Sequence, residues 1–295
     1  MRSFVLSCAL VLAVVPACGA QESAAGDWNG LIRGGKCKEA RALCTPWLRA
    51  PEAGKQAEGH KCLANVELCE SESVVFLQPN DLGGAAMTSS YPPEAVDKAL
   101  QHLEEALKLT PQDLSIHLGR LHLLEISFRY PEMAKALDDS CSTYKGSEGV
   151  EVWLAYTSEL FQQKQFRAAL ALLQVLDEHY PDSHQVLGNI GAAYEMLSQD
   201  EAAIHALQRA VELAPADPID NWNLARAYDY AGKTELAEQW YKKALSLEPD
   251  AERRKGNGCL YAAFVEQKLH DRKRACQLQQ ANCPAEEQTA CAPAK

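Results

Sequence analysis

Several recognisable chemistries are missing from this chain. It has no G-x-S-x-G, no H-E-x-x-H, no phosphate-binding P-loop and no G-x-G-x-x-G following a strand. Their absence removes the commonest hydrolase, metalloprotease, nucleotide and dinucleotide sites, and no enzymatic activity and no cofactor are expected. There is no C-x-x-C, so the two- to four-residue gaps that zinc favours are also missing. Cations are scarce: 29 Lys and Arg stand against 40 Asp and Glu, a formal net charge of −11. Nucleic-acid binding is driven by cations that neutralise phosphates, so no nucleic-acid partner is expected. The eight histidines (60, 102, 117, 122, 179, 184, 205 and 270) scatter over helix surfaces. His117 and His122 are five apart and miss a common face, so no metal site is expected.

Long apolar runs are almost absent too. Phe4 to Val15 follows a positive start at Arg2, has secretory-signal length and is too short for a comfortable membrane span. It ends in Val15-Pro16-Ala17-Cys18-Gly19-Ala20, which resembles the cleavage box of bacterial lipoproteins, with Pro16 as a departure. Residues 1–20 are therefore expected to be an export signal. Two outcomes stay open: lipidation of Cys18, or ordinary cleavage near Ala17 or after Ala20 that leaves a soluble protein. Residues 21–27 are small and polar, as a tether would be.

Cysteine, in contrast, is plentiful. Beyond Cys8 and Cys18 there are nine: 37, 44, 62, 69, 141, 259, 276, 283 and 291. This density fits an oxidising compartment, the periplasm or the outer-membrane surface. Nine is odd, so one thiol at least is left outside an intramolecular pairing.

The strongest pattern is a ruler of 34 residues between Val150 and Ala251. Pro181, Pro215 and Pro249 mark it; Ala169, Ala203 and Ala237 lie twelve residues before each. Leu173, Leu207 and Tyr241 lie eight before; Leu160, Tyr194 and Tyr228 lie twenty-one before. A fixed period of this kind signals stacked supersecondary units. Each unit reads as two helices with a small residue at the crossing: Gly191 and Ala225 on first helices, the three alanines on second helices.

Residues 28–149 repeat the pattern imperfectly. Trp28 to Ala50 reads as a second helix, with Ala40 at the small position and Pro46 to kink or restart it. Gln56 to Glu70 reads as a first helix. Cys37 and Cys44 are seven apart, as are Cys62 and Cys69, so each pair lies on one face. Antiparallel helices match crosswise, which predicts disulfides Cys37–Cys69 and Cys44–Cys62. Residues 71–92 are an insertion within one repeat, with β-prone Val74-Val75-Phe76-Leu77 and turn chemistry from Pro79 to Gly84. It is a plain surface loop or a contact for a partner. The repeat resumes through Ala95 to Leu109. Leu114, Leu118, Leu121 and Phe128 then form a helical stripe, and Asp138 to Gly149, with Cys141, breaks the period.

After the regular repeats, Gly256-Asn257-Gly258 breaks the chain, and Cys259 to Leu278 reads as one capping helix. Leu260, Ala263, Phe264 and Leu269 are its covering positions. Residues 252–295 thus form a capping helix and a cysteine-containing tail, with the pairing of Cys141, Cys259, Cys276, Cys283 and Cys291 undetermined.

In the last regular unit Leu224, Ala225, Tyr228, Gly232, Ala237, Tyr241, Ala244 and Pro249 resemble the tetratricopeptide repeat in type and spacing. The resemblance implies an all-α, right-handed α-solenoid of about six helical hairpins. It also implies a partner protein or peptide held in the concave groove, which first helices line. By position the groove residues are Leu154, Ser158 and Phe161; then Gln185, Asn189, Ala192 and Glu195; then Trp222, Asn223, Arg226, Asp229 and Tyr230. Trp222 and Tyr230 either anchor a partner or pack on the capping helix. Asn189 and Asn223, 34 apart, occupy the place where the family binds a peptide backbone. A carboxylate-binding groove needs several cations, and only Arg226 qualifies in these repeats, with Lys61 and Asn65 suitably placed nearer the N-terminus. The expected function is a non-enzymatic envelope scaffold or adaptor that touches the membrane only through a lipid anchor. A self-assembling structural component and a thiol-linked redox function are the alternatives.

Overall fold

The computed structural model describes residues 27–144 and 149–291. The export segment with Cys18, and the tether up to residue 26, lie outside the described residues. The chain divides into two compact units between Trp153 and Leu154.

The first unit begins with α1 (Trp28–Arg33) and α2 (Cys37–Cys44), followed by a 3-10 turn, Thr45–Arg49. Then come α3 (Ala53–Cys69), strands β1 (Val74–Pro79) and β2 (Ala85–Ser90), α4 (Pro93–Leu109), α5 (Leu114–Ile126) and α6 (Tyr130–Thr143). Helix α7 (Glu151–Gln162) spans the division. The second unit continues with α8 (Phe166–His179), α9 (His184–Met196), α10 (Asp200–Leu213), α11 (Pro218–Tyr230), α12 (Thr234–Leu247), α13 (Ala251–Lys268) and α14 (Arg272–Asn282).

One local device builds most of the hairpins. Six turns from a first helix to a second carry a residue with left-handed backbone: Gly35, Phe128, Lys164, Ser198, Gly232 and His270, with φ between 56° and 71°. In five of them the next N–H reaches back to a carbonyl five residues earlier: Lys36 to Leu31, Arg129 to Leu124, Gln165 to Leu160, Gln199 to Tyr194 and Lys233 to Tyr228, at 2.8–2.9 Å. This closes a helix end by satisfying carbonyls that have no partner within the helix. Five residues after the turn stands a fully buried alanine: Ala40, Ala169, Ala203, Ala237 and Ala275. Met133 fills that place in the α5–α6 hairpin, also fully buried, which is why that repeat reads as degenerate. Four first helices, α5, α9, α11 and α13, are started by a side-chain cap, from Asp113, Ser183, Asp217 and Asp250, whereas α3 has none.

The small positions on first helices do what the ruler requires. A methyl group on Gly191 would stand 2.4 Å from Cγ of the fully buried Leu207, so α9 and α10 approach on that glycine. The core of the last repeats gathers Leu207, Leu224, Ala225, Tyr228, Ala237 and Tyr241 with Tyr261, Phe264 and Val265 of α13 and Ala275 of α14.

Several sequence expectations are corrected. Trp28 to Ala50 is not one second helix: Gly35 folds it into α1 and α2, and Pro46 starts the 3-10 turn. Phe128 lies beyond α5 in the left-handed turn, and the buried face of α5 runs through Ile116, His117, Leu121 and Leu124. Cys141 sits buried on α6 rather than in a loop. Gly256 to Gly258 does not break the chain, because α13 continues through it. A methyl on Gly258 would lie 2.6 Å from Asn282, so the glycine admits the end of α14. Cys259 to Leu278 is therefore not a single helix but parts of two, folded back at His270. The covering residues are Tyr261, Phe264 and Val265; Leu260, expected inside, is 61% exposed.

Disulfides hold the first hairpin to the helix after it and close the last hairpin. Cys37–Cys69 and Cys44–Cys62 join α2 to α3, in the crosswise pairing that the helix faces suggest. Cys259–Cys283 joins α13 to the end of α14, and Cys276–Cys291 ties the final turn back to α14. The insertion folds as a hairpin, Val74 opposite Ser90 and Pro79 opposite Ala85. Its turn is held by the Asn80 carboxamide oxygen, which accepts from the N–H groups of Leu82 and Gly84.

Candidate partner-binding face

The groove positions inferred from the sequence fall on α7, α9 and α11, the first helices of consecutive hairpins. Their register follows the 34-residue period: Asn189 corresponds to Asn223, Ala192 to Arg226, Glu195 to Asp229. On α7, Ser158 is exposed, and Leu154 and Phe161 are half-buried. The Phe161 ring meets Phe166 edge-on at 5.6 Å, so it seals its own hairpin as well as facing outward.

On α9 and α11 the structure separates committed from available side chains. Arg226 binds Glu195 through two parallel hydrogen bonds, Nε to Oε1 at 2.6 Å and a terminal nitrogen to Oε2 at 2.9 Å. The Glu195 side chain is only 1% exposed, and that of Arg226 34%. Burial opposes the guanidinium charge, but the hydrogen bonds and charge of Glu195 outweigh it and raise its pKa. Asp229 pairs with Lys268 of α13 at 3.3 Å. Trp222 is half-buried, its ring 4.6 Å from Tyr241, packed against the core of the last repeats. Nearer the N-terminus, Lys61 is held by Glu58 and Asp113, and Asn65 is buried. The cations that might hold a terminal carboxylate are thus already engaged.

The available groups are Asn223 and Tyr230, the latter 56% exposed; the exposed Gln185 accepts from the Ser183 hydroxyl at 3.2 Å through its side-chain oxygen, and the Asn189 amide donates to the Gln185 carbonyl at 2.8 Å. Sequence reasoning missed three members. Adding 34 to Gln185, Asn223 and Arg226 gives Ile219, Asn257 and Leu260, and Ile219 is 52% exposed. The period itself carried that signal, but reading α13 as a cap hid it.

The histidines also depart from the scattered surface set. His117 is buried: its Nε2 donates to the Pro111 carbonyl at 2.9 Å, which leaves Nδ1 facing the Ser140 hydroxyl at 3.0 Å. His184, Asp217 and Asp220 bring ligand atoms within 4.8 Å of one another. Each has a structural task. Asp217 caps α11 through the N–H groups of Ile219 and Asp220, and His184 Nδ1 meets Asp220 at 2.7 Å. Burial pushes the Asp220 carboxyl up. The group sits at the N-termini of α9 and α11, whose dipoles oppose a bound cation.

Residues 184–217 and 221–251 match the family described as tetratricopeptide repeat. The chain carries tetratricopeptide repeats, a fold that generally serves protein–protein interaction rather than catalysis. Among solved structures, it is similar to PilW, a widely conserved type IV pilus biogenesis factor, at 21% identity and TM-score 0.43, over 66% of this chain and 90% of that one. Similarity to pilF of Pseudomonas aeruginosa is 16% at TM-score 0.41, over 66% and 88%. YrrB, described as a TPR protein with an unusual peptide-binding site, matches at 19% and 0.37, over 55% and 82%.

Proposed function

We propose that this chain, as a carrier of tetratricopeptide repeats, is a cell-envelope adaptor that holds an extended segment of a partner protein along the first helices α7 to α13. The observation that carries the reading is a row of outward groups on α9, α11 and α13: Gln185 and Ile219 at one place in the period, Asn223 and Asn257 at the next, with the exposed Tyr230 and Leu260 beside them. Side-chain amides answer the polar backbone of an extended chain, and exposed apolar groups between them take its side chains. Arg226 and Asp229 act as struts of that face, because each is paired within the fold. Export rests on residues 1–20 and on the eight cysteines in disulfides, which suit an oxidising compartment. Lipidation at Cys18 would then tether the repeats to the membrane.

A photo-crosslinking amino acid placed at Asn223, at Tyr230 and at Glu212 on the outer helix α10 tests the groove in native envelopes. The expected result is one shared adduct from Asn223 and Tyr230 that Glu212 does not give. Equal adducts from all three positions would reject the groove. The mass of the mature N-terminus reads the anchor: a diacylglyceryl-modified Cys18 supports it, and an unmodified Gln21 removes it.

A further inference from the structure

The insertion between α3 and α4 holds the one sheet among the described residues, the pair of strands β1 and β2. A two-stranded hairpin is marginal by itself in water, and further strands are what complete it. The phase of this one follows from its turn. The Asn80 N–H donates to the Gly84 carbonyl at 2.9 Å, which makes those two residues a hydrogen-bonded pair. Pairs alternate along an antiparallel ladder, so Gln78–Ala86, Phe76–Thr88 and Val74–Ser90 are bonded pairs as well. The pairs between them, Leu77–Met87 and Val75–Ser89, turn their N–H and C=O groups away from the hairpin. Pro79 stands in the same outward phase, where a ring without an N–H removes no bond from the hairpin.

Strand edges are normally blunted by charge. Here no Asp, Glu, Lys or Arg occurs from Ser73 to Asn80 or from Leu82 to Pro93. Of the two edges, β1 is the better template: Val74, Val75 and Phe76 are strand-forming types, whereas β2 begins Ala85-Ala86 and ends Ser89-Ser90. The missing charge also decides which strand fits. A foreign strand drawn to a chain of net charge −11 would bring cations, and the β1 edge holds no acid to meet them. A second copy fits it instead, because an uncharged stretch is where two acidic chains meet without like charges opposed. The edge is also its own complement. With Phe76 on a two-fold axis, Val75 of one copy lies opposite Leu77 of the other, and each such pair exchanges its outward N–H and C=O groups.

We propose that β1 pairs with β1 of a second copy of this chain, antiparallel about Phe76, so that the two hairpins form one continuous sheet. The pairing uses the insertion alone and does not depend on how the groove on α7 to α13 is used.

Sedimentation velocity of the full chain, from about 1 to about 100 μM, tests it. A reversible dimer is expected, its fraction rising with concentration. Val75→Pro and Leu77→Pro each delete an outward N–H of β1 and leave the bonds inside the hairpin, so both variants are expected to sediment as monomers. Met87→Pro deletes an outward N–H of β2 and is expected to leave the dimer intact. Phe76→Cys is expected to give a covalent dimer on oxidation with copper–phenanthroline, because a non-hydrogen-bonded antiparallel pair brings its Cα atoms to about 4.5 Å, within disulfide reach. Peptide mapping should join position 76 to position 76. Should a proline variant lose its circular-dichroism signal, that crosslink decides. A native chain that stays monomeric at the highest concentration overturns the proposal. So does a dimer that survives both β1 proline variants, one that is lost in Met87→Pro, or a Phe76→Cys chain that forms no bond between the two positions 76.

Discussion

At the scale of single residues, what a side chain is paired with matters more than where its number falls in the repeat. Arg226 read from the sequence as the one groove cation, yet it belongs to Glu195, 31 positions earlier on α9. A pairing between helices of different repeats leaves no local trace, so the sequence showed its face but not its commitment. Arg226→Met strands a carboxylate whose side chain is 1% exposed. The expected cost is about 3 kcal/mol in urea unfolding, the low end for a buried pair because the guanidinium keeps a third of its surface in water. Adding Glu195→Leu should return most of that loss; a cost below about 1 kcal/mol for Arg226→Met would mark the pair as a surface one. His117 makes a second residue-scale case. Burial lowers its pKa below the ordinary 6.5. The unfolded chain therefore binds a proton that the folded chain resists, and stability falls as pH drops through and below 6.5. Unfolding midpoints between about pH 7 and about pH 5 should decline, and His117→Gln, which cannot titrate, should flatten the decline. An unchanged slope in that variant would assign the effect elsewhere.

At the scale of elements, the repeat was legible wherever its marker residues kept their types. Pro181, Pro215 and Pro249, with Ala169, Ala203 and Ala237, were enough to place α8 to α12. The last hairpin was not legible for three reasons. It lacks the closing proline of the ruler, its first helix contains Gly256 and Gly258, and cysteines replace part of its apolar pattern. Its fold nonetheless obeys the same rule, with a left-handed turn residue five positions before a fully buried alanine, Ala275. That turn can be tested by exchanging residues between equivalent sites. Ser198 and Gly232 occupy the same place, at φ 56° and 71°. A residue with a side chain pays roughly 1–2 kcal/mol in that conformation, and glycine gives back about 0.5–1 kcal/mol through its freer unfolded chain. Ser198→Gly should therefore stabilise by about 0.5–1 kcal/mol, and Gly232→Ala should destabilise by a similar amount. Thermal or urea midpoints that move in the same direction for both would show that the turns are not equivalent.

At the scale of the whole molecule, the cysteines sort by position along the repeats. A hairpin inside a stack is covered on two sides, whereas the first and last in chain order have one neighbour and the weakest hold. All four disulfides touch those hairpins: two tie α2 of the first to α3 of the next, and two bind α13, α14 and the final turn. The paired cysteines are 32, 18, 24 and 15 residues apart. Closing loops of that size is worth about 3 kcal/mol each by restricting the unfolded chain. The regular repeats α8 to α12 contain no cysteine and depend on packing around Leu173, Leu207 and Tyr241. Reduction should thus act locally rather than globally. Amide exchange on the reduced chain is expected to accelerate in residues 37–69 and 251–283 and to stay near its oxidised rate in residues 184–247. The double variant Cys44→Ala/Cys62→Ala should reproduce the N-terminal half of that pattern without reductant. A uniform rise in exchange across α9 to α12 would mean that the disulfides support the whole stack, and that the repeats do not hold themselves.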